Sequence, residues 1–381
     1  MILIAKGFVM RILFAFFLLI SLAFPAYAAQ ETIAKAAIVI DTTTGAILME
    51  KNATERMPTA SMSKTMTAVV VFDALKRGAL TLDSTCRVSE KAWKMQGSKM
   101  FVELGSDIRV EDLIKGVIIQ SGNDATIVLA ECVAGSEERF AGLMNEMAAR
   151  FGMTGSHFMN ASGWPDPDHY STPRDLALLA WRLVTDYADY YKYDAIREFE
   201  WHGITQQNRN PLLGKVEGAD GIKTGHTEEA GYGLIGSAKR NNRRVIMVIS
   251  GLNSDKDREA EGIRLMNWAL DSFSVKKLLT AGTIVARAPV VYGAAREVDL
   301  VIAKDVVSTV PATYNPKDLQ LKVKYQTPQI APIAKGTQIG TIEVTLPEMA
   351  SVQTYPLLAG SDVARKGFIS LTFEKIIQAA K

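Results

Sequence analysis

Apolar residues change their spacing several times along this chain, and each change marks a new element. Residues 12–22 are apolar except at Ser21, with Lys6 and Arg11 before them and Ala26-Tyr27-Ala28 after them. A basic stretch, a short apolar run and a small-x-small site predict a secretory signal over residues 1–28, the alternative being an uncleaved anchor. Met10-Arg11 already begins a compact signal, so Met1 and Met10 both remain as starts. Residues 36–40 and 46–49 flank Asp41-Thr42-Thr43-Thr44-Gly45 and predict a β-hairpin opening the mature fold. After Pro58-Thr59, the residues Met62, Met66, Val69, Val70 and Leu75 recur near helical spacing, with Thr59 as N-cap and Gly78 as stop. Further helices are predicted over 111–119, 125–133, 137–151 and 173–185.

Strand-like runs then return at 221–224, 232–238 and 244–250, the last two joined by the turn dipeptide Asn241-Asn242, before 259–273 resumes helix. Strands at both ends with helices between them predict an α+β domain around an antiparallel sheet. Beyond 276, runs at 290–292, 298–303, 319–325, 339–344 and 352–357 are separated by Gly, Pro and Asn, which predicts a small all-β domain. In the tail, Phe368, Ile369, Phe373, Ile376, Ile377 and Ala380 share one helical face, with Lys366, Lys375 and Lys381 outside its centre. A helix lying on anionic lipid has that composition; so does one docked on the β-domain.

The 381 residues are 48% hydrophobic and 22% charged, which excludes a disordered chain and leaves room for two cored domains. Lysine and arginine total 43 against 41 acidic residues, and cleavage after Ala28 removes two cations and no anion. That balance argues against nucleic acid as a partner. Export would permit a disulfide between Cys86 and Cys132, yet two cysteines are no disulfide framework and both serve equally as buried small hydrophobes.

Ser61-Met62-Ser63-Lys64 sets a hydroxyl and an ammonium three residues apart on a predicted helix, hence on one face. A serine hydroxyl attacks only after a base takes its proton, and lysine is a base only when neutral. Burial beside a second cation favours the neutral amine, so a Ser/Lys pair demands another cation nearby. Ser-x-x-Lys recurs at Ser274/Lys277, so the spacing alone is weak. Ser121-Gly122-Asn123 falls in a break between two helical runs, and Lys223-Thr224-Gly225 lies on a predicted strand, supplying the cation and a glycine for close approach. Asp175 either shapes the loop before its helix or caps that helix. His157, His169, His202 and His226 show no metal-ligand spacing, so neither metal nor cofactor is called for.

The three motifs together resemble the serine penicillin-recognising enzymes, whose Ser-x-x-Lys, Ser-x-Asn and Lys-Thr-Gly set they match. With His226 after the third motif and Gly203-Ile204-Thr205-Gln206-Gln207-Asn208-Arg209-Asn210 before it, the chain is similar to the low-molecular-mass penicillin-binding proteins of the 5/6 type, D-alanyl-D-alanine carboxypeptidases of serine peptidase family S11. The resemblance implies an α+β fold, a serine β-lactamase/DD-peptidase-like catalytic domain over 29–276, a β-rich domain over 277–365 and a membrane-associating helix over 366–381. It implies removal of the terminal D-alanine from peptidoglycan stem peptides through an acyl-enzyme on Ser61, inhibited by β-lactams, at the periplasmic face of the inner membrane. Lys64 would take the Ser61 proton. Ser121, hydrogen-bonded in the same site, would pass a proton to the leaving D-alanine, and Asn123 would orient Lys64 and the substrate amide. Backbone N–H groups of Ser61 and His226 would form the oxyanion hole. Lys223, Thr224 and Arg209 would hold the terminal carboxylate, with Gly225 beside them and Arg258 as a further candidate.

The alternatives are a β-lactamase, an endopeptidase and a non-catalytic penicillin-binding scaffold. No Glu-x-x-Leu-Asn segment lies between Asn123 and Lys223 to activate the deacylating water of a class A β-lactamase. Endopeptidase relatives generally lack the second β-domain, and intact motifs speak against a scaffold.

Overall fold

The structure is a computed structural model that describes residues 30–346 and 352–367; the expected signal and residues 368–381 of the tail lie outside them. The strands β1 (Ala36–Asp41) and β2 (Ala46–Lys51) form the expected opening hairpin. Three later strands, β3 (Ala219–Thr227), β4 (Gly231–Arg240) and β5 (Arg243–Leu252), complete an antiparallel sheet in the order β2-β1-β5-β4-β3. Asn241 and Asn242 turn β4 into β5 with φ of 50° and 61°, the left-handed pair such a two-residue turn needs.

Both sheet faces are covered, which is why β1 and the middle of β5 read as almost unbroken apolar runs. Ile38, Ile40, Ile246 and Val248 enter one core, while Ala37, Val39, Val245, Met247 and Ile249 enter the other. The first core is filled by α1 (Lys64–Lys76), α2 (Glu90–Lys94), α3 (Val110–Ile118), α4 (Asn123–Ala134), α5 (Glu137–Phe151), α6 (Pro173–Asp186) and α7 (Ala188–Tyr191). The second is covered by α8 (Asp255–Asp271) through Leu265, Met266 and Ala269.

Local details depart from the sequence expectation at Thr59 and Phe273, and at Asp175 the structure decides between the two readings in favour of the loop. Thr59 does not cap α1 with its side chain; the chain enters through a 3-10 turn, Ala60–Ser63, and the Thr59 hydroxyl pairs with Ser63 Oγ at 2.5 Å. Thr172, not Asp175, caps α6, and the Asp175 carboxylate accepts instead from Gly155 N and Ser156 Oγ. Phe273 does not end a helix: α8 stops at Asp271 and Phe273 opens strand β6 (Phe273–Leu279).

Strand β6 runs across the expected boundary at 276/277. The remaining strands are β7 (Ile284–Val291), β8 (Glu297–Ile302), β9 (Val306–Pro311), β10 (Gln320–Tyr325), β11 (Gln329–Ile330), β12 (Gln338–Thr345) and β13 (Gln353–Ala359). β6 pairs with β9, and the others form a sheet in the order β10-β12-β13-β8-β7-β11 around Leu300, Ile302, Ile342, Val344 and Leu357. The fold is therefore α+β, a helix-covered antiparallel sheet followed by an all-β part.

A buried polar knot joins the two parts. Arg243 donates to Asp41 Oδ2 at 2.5 Å and to the Leu270 and Phe273 carbonyls at 3.0 and 2.9 Å, fastening the end of α8. The Thr309 hydroxyl of β9 donates to the same Asp41 oxygen at 2.9 Å. Cys86 and Cys132 form a disulfide that ties the small hairpin of Thr85–Arg87 and Asp107–Arg109 to α4.

Candidate active site

Three fold elements converge on Lys64. It is the first residue of α1, and the turn before it brings Ser61 alongside, so Lys64 Nζ lies 2.8 Å from Ser61 Oγ. The Nζ also donates to Asn123 Oδ1 at the start of α4 and to the Ser162 carbonyl, each at 2.7 Å. Lys64 is 1% exposed. Burial, then the nearby Lys223 ammonium and Arg209 guanidinium, hold its pKa well below the ordinary lysine range, against an opposing pull from Asp124.

Asn123 is itself locked, its amide donating to the Gln96 carbonyl at 2.8 Å and its backbone N–H to the Ser98 carbonyl at 2.7 Å. Ser121 sits in the break between α3 and α4 at φ 58° and is 1% exposed. Sequence reasoning expected Ser121 to be hydrogen-bonded in the site, and it is not: its hydroxyl has no partner among the described residues. Its proton is therefore uncommitted.

β3 forms the opposite wall and is an edge strand of its sheet, with no second strand partner among the described residues, the kind of edge an extended peptide can join. A Cβ on Gly225 would come within 2.8 Å of the Thr59 carbonyl oxygen and 3.1 Å of Met62, so only glycine lets β3 approach the Ser61 turn this closely. Lys223 and Thr224 are each 4% exposed. Burial, then Arg209 and Arg258, push the Lys223 pKa down to about 7, with Asp194 opposing. Arg209 follows the hairpin of Glu198–Trp201 and Ile204–Gln207 and donates to Ser98 Oγ at 2.6 Å. His226 is exposed and stacks on Tyr232, ring centroids 3.9 Å apart, while the Arg258 guanidinium lies 5.6 Å from that Tyr232 ring and is ion-paired to Asp255. The structure thus joins Ser61, Lys64 and Asn123 by direct bonds and brings Lys223, Arg209 and Arg258 within electrostatic reach of one another, with Arg258 also ion-paired to Asp255.

Sequence reasoning missed the supports. Ser162 contributes only a carbonyl, which no side-chain pattern advertises. Gly163, at φ 78°, lets that loop touch the Ser61 turn: a Cβ would fall 1.8 Å from the Ala60 oxygen. Asp124, next to Asn123, accepts from the Met100, Phe101 and Val102 backbone N–H groups and so fixes the loop that carries Ser98. His169 is buried, with Nε2 2.7 Å from Ser63 Oγ and Nδ1 accepting from Met159 N; burial lowers its pKa to about 4.

Comparison with known proteins agrees with this geometry. Residues 24–254 match the model of the peptidase S11 family, D-alanyl-D-alanine carboxypeptidase, and residues 273–365 match the penicillin-binding protein 5 C-terminal domain. The Escherichia coli (strain K12) D-alanyl-D-alanine carboxypeptidase DacC is 36% identical over 366 residues, 92% of this chain and 91% of that protein. Among solved structures, penicillin-binding protein 5 from Haemophilus influenzae is 34% identical with a TM-score of 0.74, over 88% of this chain and 99% of that one. Penicillin-binding protein D2 from Listeria monocytogenes in its ampicillin-bound form is 30% identical with a TM-score of 0.59, over 64% of this chain and 99% of that one.

Proposed function

From the premise that the chain belongs to the D-alanyl-D-alanine carboxypeptidase family S11, and is a serine-type carboxypeptidase of the penicillin-binding protein group, we propose that Ser61 is its nucleophile and Lys64 its general base. The observation that carries this is the set of atoms around Lys64 Nζ. Two of its three neighbours, Asn123 Oδ1 and the Ser162 carbonyl, can only accept, while the third is the Ser61 hydroxyl. A neutral amine has two N–H groups for the two obligate acceptors and one lone pair, which then faces the Ser61 proton. The cations and burial that lower the Lys64 pKa favour that neutral form.

The steps follow from this arrangement. Lys64 takes the Ser61 proton as Oγ bonds to the carbonyl carbon between the two D-alanines. The resulting oxyanion is met by the backbone N–H groups of Ser61 and His226, donors matched to charge that exists only in the tetrahedral state. Collapse breaks the C–N bond, and the proton reaches the departing amine through Ser121, whose hydroxyl is uncommitted. Water, giving a proton to Lys64, then attacks the ester carbonyl; collapse breaks the bond to Ser61 Oγ, which takes that proton back from Lys64. Lys223, Thr224 and Arg209 bind the terminal carboxylate, and Asn123 orients the substrate amide along the β3 edge. A β-lactam acylates Ser61 by the same route and leaves slowly. D-Alanine release from a peptide ending in Lys-D-Ala-D-Ala tests this: it should vanish in Ser61→Ala, and persistent release would refute it.

The reading extends to location. The signal-like residues 1–28 and the Cys86–Cys132 disulfide, a bond that persists in oxidising compartments, support export to the periplasm. The apolar face and lysines of 366–381 support peripheral attachment to the inner membrane. Removing 366–381 should release the protein from membranes; unchanged association would sink that part.

A further inference from the structure

Beside Asn123 stands an indole that none of the proposed steps uses. Trp164 is 43% exposed, and among the described residues no stacked ring, cation or hydrogen bond engages its side chain. Its backbone, by contrast, is gripped from both sides. Asn160 Oδ1 accepts from Trp164 N at 2.9 Å and from Gly163 N at 2.8 Å, while Asn160 Nδ2 donates to the Trp164 carbonyl at 3.0 Å. The two preceding residues, Ser162 and Gly163, are the ones that touch Lys64 and the Ser61 turn. The indole is thus exposed, yet mounted on the same support as the base. Gly97 shows how near the ring comes to the chemistry. It lies between Gln96 and Ser98, whose carbonyls hold Asn123, and its φ is 81°. A Cβ on Gly97 would fall 2.7 Å from Asn123 Nδ2 and 3.3 Å from Trp164 Cζ3. The space of one methyl group therefore touches both the Asn123 amide and the edge of the indole.

The substrate group that meets this ring follows from its bonding. Asn123 orients the amide that joins the penultimate D-alanine to the residue before it. The carbonyl half of that amide belongs to the preceding residue, whose side chain therefore comes beside the indole. The other end of the substrate is already held, its terminal carboxylate by Lys223, Thr224 and Arg209, and β3 closes the cleft opposite Asn123. We propose that Trp164 is a specificity-determining residue for the carboxypeptidase reaction: its ring packs on the aliphatic side chain of the residue preceding D-Ala-D-Ala, and so favours stems with a run of methylenes there over stems with glycine. This rests on the reading that Ser61 is the nucleophile and Asn123 orients the amide. An indole suits methylenes because it offers a broad apolar face and loses little freedom when covered. A charged end, as on lysine, extends past the ring and stays in water.

The test is D-alanine release by the full-length enzyme from two peptides, Nα-acetyl-norleucyl-D-Ala-D-Ala and Nα-acetyl-glycyl-D-Ala-D-Ala. Norleucine supplies an aliphatic chain of lysine length without its charge. In the parent, kcat/KM should favour the norleucine peptide by about tenfold, the worth of a few partly covered methylenes. In Trp164→Ala that ratio should fall towards one, and Trp164→Phe, which keeps an aromatic face, should retain most of it. The ratio closes a thermodynamic cycle between ring and side chain, so a ring that merely supports Gly97 and Asn123 would lower both peptides alike and leave the ratio where it was. An unchanged ratio in Trp164→Ala, with or without a loss shared by both peptides, overturns the proposal. Should Trp164→Ala fail to fold, the parent decides with glycine, alanine, norvaline and norleucine peptides: kcat/KM should climb along the series, and a flat series overturns the inference. The parent also separates the two levels. Equal release from both peptides, abolished by Ser61→Ala, overturns this inference alone; no release from either overturns the site reading and this inference with it.

Discussion

Replacing Gly163 by alanine tests the loop that holds Lys64 without touching any group that reacts. The new Cβ would start 1.8 Å from the Ala60 oxygen, where such atoms keep at least 3.0 Å, so the segment must retreat by about 1.2 Å. Ser162 is the preceding residue, and its carbonyl now lies 2.7 Å from Lys64 Nζ. A retreat of that size takes it to roughly 3.9 Å, beyond hydrogen-bond range. Lys64 then keeps one obligate acceptor instead of two, and its lone pair is no longer directed at Ser61. Misplacement by about 1 Å costs on the order of 10²-fold in rate. The left-handed backbone of an alanine adds about 1–2 kcal/mol of strain. The assay is the rate at which a fluorescent penicillin acylates Ser61, read beside the thermal midpoint. A folded Gly163→Ala variant that acylates at the parent rate would refute the argument that the Ser162 carbonyl directs the base.

Three further predictions rest on separate observations. Lys223→Met removes a cation that lowers the Lys64 pKa, so the alkaline rise in penicillin acylation should move to higher pH; a profile that stays put would disprove the coupling. His169 titrates near 4 when folded against about 6.5 when unfolded; protonation therefore favours the unfolded chain. Stability should fall as pH drops from about 6.5 to about 4, by up to about 3 kcal/mol, and His169→Gln should flatten that slope in urea unfolding. Reducing Cys86–Cys132, separated by 46 positions, should cost up to about 4 kcal/mol by loop-closure entropy; an unchanged denaturation midpoint in Cys86→Ser/Cys132→Ser would count against a stabilising role.

What could be read in advance divides along physical lines. Ser61 and Lys64 are three positions apart, so local geometry alone makes them neighbours, and Lys223 shows itself through the Lys223-Thr224-Gly225 motif. The inner strands β1 and β5 stood out because both faces are buried and most of their positions are apolar. β9, Val306–Pro311, did not, since Ser308, Thr309 and Pro311 interrupt its pattern while serving the junction and the strand end. The end of α8 was hidden because Phe273 continues the apolar spacing into the next strand. Ser162 works through a main-chain carbonyl common to all residues. Asp124 is an ordinary acid until folding brings it onto the Met100, Phe101 and Val102 N–H groups. The cysteines could not be paired from spacing, because their closeness arises from packing between a hairpin and a helix far apart in the chain.

The sheet order carries a consequence for how the protein comes into being. β1, the first strand of the mature chain, is an interior strand, and its inner partner is β5: Ile38 lies opposite Val248, about two hundred residues later. β2 can pair with it at once, yet a lone hairpin is marginal in water. The sheet cannot close until the ribosome has made residue 252, which at roughly 5–20 residues per second takes on the order of ten seconds or more. On the proposed reading that residues 1–28 direct export, a chain threaded across a membrane unfolded gains from that delay. Long-range closure of β1 on β5 postpones folding until the polypeptide can be complete on the far side, where Cys86 and Cys132 can also find an oxidant.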